Sequence, residues 1–134
     1  MWYAPGSRVR VQGDGPACWT TQVAISRRSG LPWSKWGALP GGYAHTTKGD
    51  QNAGDYRIGG KPIALMLDLV SDYSREGDTV CDPCGGYATT GVAALRLGRR
   101  FIGVECDAEA WAHGRERLAR GGGKRSPDGQ GTLF

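Results

Sequence analysis

Between Thr79 and Glu105 two short apolar runs, Thr79-Val80-Cys81 and Phe101-Ile102-Gly103-Val104, bracket a glycine-rich turn and a helical stretch. Nothing else in the chain limits its fold as much. Two strands joined through a helix cannot form a hairpin; the crossover makes them parallel neighbours in a βαβ unit. Both runs are short and uninterrupted, so both read as buried strands. The turn is Asp82-Pro83-Cys84-Gly85-Gly86, and Thr89 or Thr90 is placed to cap the helix that follows. That helix runs through Val92, Ala93, Ala94 and Leu95 and stops at Gly98. The fold class this predicts is α/β.

The flanks extend the pattern. Pro62 can stand in a first helical turn, where its missing N–H costs nothing. Ile63, Leu65, Met66, Leu69, Val70 and Tyr73 then mark one broad apolar face, closed by Glu76-Gly77-Asp78. After the second strand, Asp107 is an N-cap for a helix through Trp111 and Leu118, ended by Gly121-Gly122-Gly123. Before residue 60 the order is weaker. Arg8-Val9-Arg10-Val11 and Thr21-Gln22-Val23-Ala24-Ile25 are strand candidates, and residues 31–55 read as a long irregular excursion. Three regions are expected: 1–56, 57–121 and a flexible polar tail, 122–134.

Composition narrows the class. The 23 glycines are about one residue in six, against a usual share of about 7%, and they follow no period, which excludes collagen. No apolar run approaches the ~20 residues of a membrane span, and residues 1–5 lack the basic and apolar regions of a secretory signal. A soluble, cytoplasmic protein is expected. The net charge of +4, from 17 basic and 13 acidic residues, permits nucleic-acid contact without requiring it. Four cysteines (Cys18, Cys81, Cys84, Cys106) are few for a disulfide scaffold, and reduced thiols are expected. Cys81-x-x-Cys84 has the spacing of a redox pair, but Cys81 reads as buried. The four cysteines hold one close pair where a closed zinc site expects two, so no metal ligand is assigned.

In a βαβ unit the turn after the first strand lies at the carboxyl edge of the sheet. Glycines there let a ligand approach the backbone. An acidic residue at the end of the second strand is placed to accept hydrogen bonds from ribose hydroxyls, and Glu105 stands 19 residues after Gly86. The turn is not G-x-G-x-x-G, which disfavours a dinucleotide. A nucleoside-bearing cofactor fits the placement; so does an ordinary glycine turn with no ligand.

A resemblance goes further. Lys61-Pro62-Ile63-Ala64-Leu65-Met66, the run from Gly77 through Asp82-Pro83-Cys84-Gly85-Gly86 to Ala94, Leu97-Gly98-Arg99-Arg100-Phe101-Ile102-Gly103-Val104-Glu105 and Arg115-Glu116-Arg117-Leu118 together resemble the amino-group DNA methyltransferases. These enzymes modify adenine N6 or cytosine N4. The order is similar to the permuted class, of bacterial or phage type, including restriction–modification enzymes. The resemblance covers about residues 57–120 and implies a Rossmann-like fold binding S-adenosylmethionine. Carried over, it places Lys61 and Pro62 beside the methionine moiety and Asp82, Pro83, Cys84, Gly85, Gly86, Thr89 and Thr90 around the cofactor, with Glu105 on the ribose. Gln12 to Trp19 are similar to the stretch after the catalytic motif, and residues 33–45 to the DNA-reading region. Arg27, Arg28, Lys35 and Trp36 are the candidate DNA contacts.

This sequence departs from the family pattern at several positions. Cys84 stands for a Phe, Tyr87 for a Ser, and Ala88 for the second Gly of the loop. Ala88 costs little if its φ is negative and more if it must be left-handed. The family's catalytic tetrapeptide, Asp/Ser/Asn-Pro-Pro-aromatic, occurs nowhere in the 134 residues, so no catalytic residue is assigned and the sheet is expected to lack its central strands. A partner chain supplying that segment, or a homo-oligomer, is the expectation; the alternative is a non-catalytic cofactor- or DNA-binding remnant. The C-terminal Gln130-Gly131-Thr132-Leu133-Phe134 resembles peptides that dock bacterial sliding clamps, through Gln130, Leu133 and Phe134, although a plain tail accounts for it too. His45 and His113 read as surface residues.

Overall fold

A computed structural model of the chain describes residues 2–3, 20–21, 23–24, 26, 39, 42–45 and 60–121. Five strands and three helices occur among them. Strands β1 (Trp2–Tyr3), β2 (Thr20–Thr21) and β3 (Tyr43–Ala44) form one small sheet in the order β2-β1-β3. β1 runs antiparallel to β2 and parallel to β3. The remaining elements are α1 (Ile63–Tyr73), β4 (Thr79–Asp82), α2 (Thr89–Arg96), β5 (Arg100–Gly103) and α3 (Ala108–Gly121).

β4 and β5 are parallel, with Thr79 opposite Arg100 and Asp82 opposite Gly103, so β4-α2-β5 is the expected crossover unit. One face of the pair, carrying Val80 and Phe101, packs on a core of Val70 from α1, Val92, Ala93 and Ala94 from α2, and Leu118 from α3. Small side chains on α2 let three helices gather on this face. Gly91 shows how close they come: a Cβ there would lie 2.5 Å from the Phe101 ring.

The strands differ from the expected pair of fully buried runs. β4 alternates exposed with half-buried residues and β5 exposed with buried ones. Ile102 is 40% and Val104 57% exposed, and Cys81 is exposed rather than buried. Alternation follows from the pleat, because α1, α2 and α3 cover one face only. Farther upstream, a strand occurs at Thr20–Thr21, whereas Val23 and Ala24 lie outside any strand. The excursion over 31–55 contains β3. The Arg8–Val11 candidate lies outside the described residues.

The ends of the helices have local causes. Pro62 precedes α1 as its N-cap, and its carbonyl accepts the Met66 N–H at 3.2 Å. Gly98, at φ 74°, follows the C-cap Leu97 and supplies the left-handed stop expected of it. Asp107 caps α3 as expected: its Oδ1 accepts the Ala110 N–H at 2.7 Å. α2 is entered differently from the expectation. Neither Thr89 nor Thr90 caps it; Ala88 is the N-cap, in the left-handed region at φ 58° and ψ 34°.

Arg99 closes the side of the unit away from this turn. Its guanidinium donates to the Ser74 hydroxyl at 3.0 Å, to the Ser74 carbonyl at 2.9 Å and to the Leu97 carbonyl. The end of α1 is thereby tied to the end of α2.

Candidate functional site

The carboxyl ends of β4 and β5 carry the turn 82–88 and Glu105, and hydrogen bonds knit them into one body. Asp82 ends β4. Its Oδ1 accepts the Cys84 N–H at 3.1 Å, and its Oδ2 accepts the Thr90 hydroxyl at 2.6 Å. The aspartate therefore fixes the turn to the first helical turn of α2. Thr89 and Thr90 lie inside the helix, after the N-cap Ala88, so neither occupies the capping position. The Gly85 N–H donates to the Val104 carbonyl at 2.8 Å, carrying the β4–β5 ladder past the strands themselves.

Glu105 joins the two strand ends. Its Oε2 accepts the Gly86 N–H at 2.6 Å and its Oε1 the Asp107 N–H at 2.9 Å; the Cys106 thiol donates to Oε1 at 3.5 Å. The backbone N–H groups of Asp107 first, then of Gly86, hold its carboxyl below the usual carboxylate range. A carboxylate oxygen offers about two lone-pair sites, so Oε2, which accepts one bond, retains capacity for a hydroxyl.

These bonds decide what kind of ligand the turn can take. The N–H groups of Cys84, Gly85, Gly86 and Ala88 all donate within the protein, the last to the Gly85 carbonyl at 2.8 Å. A phosphate cradle needs such N–H groups aimed outward, and a fixed carboxylate beside them repels an anion. A ribose diol needs an acceptor, and Glu105 is one. These four N–H groups are therefore not aimed outward at an anion.

The third side is α3. Arg117 donates from Nη1 to the Tyr87 carbonyl at 2.7 Å and to the Thr89 hydroxyl at 3.1 Å. Gly114 faces the turn so closely that a Cβ would stand 3.1 Å from the Gly86 carbonyl and 3.2 Å from the Ala88 Cβ. The Tyr87 ring lies over His113, with centroids 5.9 Å apart and planes inclined by 51°. The extra bulk at Tyr87 is thus engaged with α3.

The structure brings Asp82, Gly85, Gly86, Thr89, Thr90 and Glu105 together, with exposed Pro83 and Cys84 at the crest of the turn. Lys61 is exposed ahead of α1 and Pro62 is buried; α1 packs against α2, and among the described residues no hydrogen bond ties either residue to the turn. Arg27, Arg28, Lys35 and Trp36 lie outside the described residues, as do Gln130, Leu133 and Phe134. Among the described residues no group of three His, Cys, Asp or Glu side chains is arranged to hold a metal ion, and no helix is long and apolar enough to cross a membrane.

Sequence reasoning overlooked a second set of contacts. The Tyr43 hydroxyl donates to Asp72 Oδ2 at 2.7 Å, and His45 Nε2 lies 2.6 Å from Asp68 Oδ2. Burial, then the bond to Asp72, push the Tyr43 phenol above its ordinary range. His45 is therefore a tether rather than a plain surface residue. A signal was available: Asp68 and Asp72, four residues apart, are the two charged residues of α1.

A family model described as DNA methylase, of the N6/N4 type, matches residues 36–115, more than half of the chain. The chain belongs to the DNA methylase family. Among curated relatives of this chain, type II methyltransferase M2.DpnII of Streptococcus pneumoniae is 45% identical over 58 residues, 43% of this chain and 22% of its own length. DNA adenine methyltransferase YhdJ of Escherichia coli is 43% identical over 58 residues, 43% of this chain and 20% of its own length. The chain spans about a fifth of the length of these relatives. Among solved structures, the M1.HpyAVI–SAM complex is 39% identical, with a TM-score of 0.44 over 44% of this chain and 30% of the other. A putative DNA modification methylase of Thermus thermophilus, complexed with S-adenosyl-L-methionine, is 32% identical, with a TM-score of 0.46 over 63% of this chain and 42% of the other.

Proposed function

We propose that residues 57–121 form the S-adenosylmethionine-binding segment of a DNA amino-methyltransferase. The observation that carries this reading is the Glu105 carboxylate, held between the Gly86 and Asp107 N–H groups at the end of a turn in which the Cys84, Gly85 and Ala88 N–H groups donate within the protein. That arrangement suits a nucleoside cofactor without phosphate. In this reading Glu105 accepts the ribose hydroxyls. Asp82, Pro83, Cys84, Gly85, Gly86, Thr89 and Thr90 shape the wall beneath, and Lys61 and Pro62 flank the methionine end.

Bound there, S-adenosylmethionine supplies an electrophilic methyl group. Held by these residues, the cofactor would make its methyl group available for direct transfer to the exocyclic amine of an extruded adenine or cytosine. The acceptor groups that orient the amine come from polypeptide outside these 134 residues, on a partner chain in our reading. Arg27, Arg28, Lys35 and Trp36 contact the DNA in this reading, and the C-terminal Gln130, Leu133 and Phe134 dock a sliding clamp; deletion of 130–134 is expected to abolish clamp binding in a pull-down.

The cofactor assignment is tested by calorimetric titration of S-adenosylmethionine into the full chain, with Glu105→Ala alongside. Binding that the substitution reduces by at least about tenfold supports it, the scale expected for a lost charge-assisted hydrogen bond. A folded chain that takes up no cofactor overturns it.

A further inference from the structure

Two contacts outside the cofactor turn share a spacing. The Tyr43 hydroxyl donates to Asp72 Oδ2 at 2.7 Å, and His45 Nε2 meets Asp68 Oδ2 at 2.6 Å. Tyr43 and His45 are two positions apart, which along an extended chain is about 6.6 Å. Asp68 and Asp72 are four positions apart on α1, which along a helix is about 6 Å on one face. The two spacings match, and β3 runs against the direction of α1. One bond would hold a point and leave the strand free to pivot. Two bonds at matched spacing also fix its direction.

An exposed His–Asp pair by itself contributes little to stability, and Asp68 is 50% exposed. That accounts neither for the matched spacing nor for the buried Tyr43 beside it. α1 meanwhile packs on the α2 core through Val70, with Ile63, Met66 and Leu67 around it. The helix therefore carries the cofactor unit on one face and the small sheet on another. The register of that sheet says what is held. Thr21, where β2 ends, and Tyr43, where β3 begins, both pair with Trp2. Residues 22–42 thus leave and rejoin the sheet on one line across three strands, at points about 10 Å apart. Arg27, Arg28, Lys35 and Trp36 all fall between those points in the sequence.

We infer that Tyr43 and His45, with Asp72 and Asp68, are positioning residues that hold the small sheet, and so both ends of 22–42, in register with the cofactor unit for DNA binding. The inference rests on the DNA reading above. None of the four touches DNA in it; they keep the sheet in the arrangement that binds. A chain released from this tether spends only part of its time in that arrangement, and its apparent affinity falls by that fraction.

The test is binding of a short fluorescein-labelled duplex to the full chain, with Asp68→Ala/Asp72→Ala set against Asp68→Asn/Asp72→Asn. The two variants carry the same charge, and only the second keeps an acceptor oxygen for each bond. The alanine pair is expected to bind the duplex about tenfold more weakly than the asparagine pair, a few-fold for each lost bond. Tyr43→Phe, which changes no charge, should weaken binding a few-fold relative to the native chain. The slope of log K against log salt should be the same in both pairs, because the same phosphates are neutralised once the duplex is bound. Calorimetric affinity for S-adenosylmethionine should also be the same in both. Equal duplex affinity in the two pairs, beside a native chain that binds, overturns the tether and leaves the DNA reading standing. A native chain that binds no duplex overturns both. A flatter salt slope, or a parallel loss of S-adenosylmethionine binding, in the alanine pair would mean that the four residues support the fold at large, and the positioning role falls.

Discussion

Ala88 holds a left-handed backbone, φ 58°, and is only 2% exposed, its methyl packed against α3. The left-handed region costs an L-residue about 1–2 kcal/mol. Ala88→Gly removes that cost, but it also gives up about 0.8 kcal/mol of buried methyl and adds about 0.4–1 kcal/mol of unfolded-chain freedom. These terms nearly cancel, so urea denaturation should place Ala88→Gly within about 1 kcal/mol of the native chain. Gly114→Ala has no such compensation. Its new Cβ meets the Gly86 carbonyl and the Ala88 methyl, and a loss of about 1–3 kcal/mol is expected. The two changes should couple: Gly114→Ala should cost at least about 0.5 kcal/mol less when residue 88 is Gly. Glu105 gives a prediction in pH. Its folded pKa lies below the ordinary value of 4.5, so the folded state binds fewer protons there than the unfolded chain. Its contribution is complete above the ordinary value and is lost as pH falls through the lowered one. Acid unfolding followed by fluorescence should show a step below the ordinary glutamate range that Glu105→Ala removes.

At the scale of elements, the cap of α3 and the entry to α2 make a pair of opposites. Asp107 reaches an N–H three residues ahead, a bond contained within its own sequence neighbourhood. Asp107→Ala should lower the urea-derived stability by about 1 kcal/mol. Thr89 and Thr90 offered the same local signal, yet one hydroxyl accepts from Arg117 and the other donates to Asp82, eight residues back. Both lie past the N-cap Ala88, inside the helix, and a left-handed residue turns the chain instead. This contrast explains what could be read in advance. The crossover unit, the stop at Gly98, the cap at Asp107 and the placement of Glu105 all follow from short-range spacing. The two-residue strands Trp2–Tyr3 and Tyr43–Ala44 pair across some forty residues, and no periodicity can show over two positions. The bracing of the turn by Arg117, thirty residues from Tyr87, escaped for the same reason.

At the scale of the molecule, the β4–β5 pair is asymmetric. Phe101 is 4% exposed beneath three helices, and Val104, just beyond the same strand, is 57% exposed. Phe101→Ala should cost about 3–5 kcal/mol in the full chain. Val104→Thr should stay within about 0.5 kcal/mol, as a surface change does. Equal losses from the two would mean that both faces are covered in solution. The expectation that both strands were buried failed here because an apolar run records what a strand can bury, whereas its exposure records how many faces the neighbouring helices reach.

The turn at the carboxyl edge is held from four directions: by Asp82 from β4, by Thr90 from α2, by Val104 and Glu105 after β5, and by Arg117 from α3. The long-range bonds of this arrangement form only when those elements have come together. A molecule that recognises the turn therefore recognises only the folded chain, and occupancy and folding become linked equilibria. Each tenfold excess of such a molecule over its dissociation constant adds about 1.4 kcal/mol to the free energy of unfolding, so a melting curve taken at rising ligand concentration is also a binding isotherm.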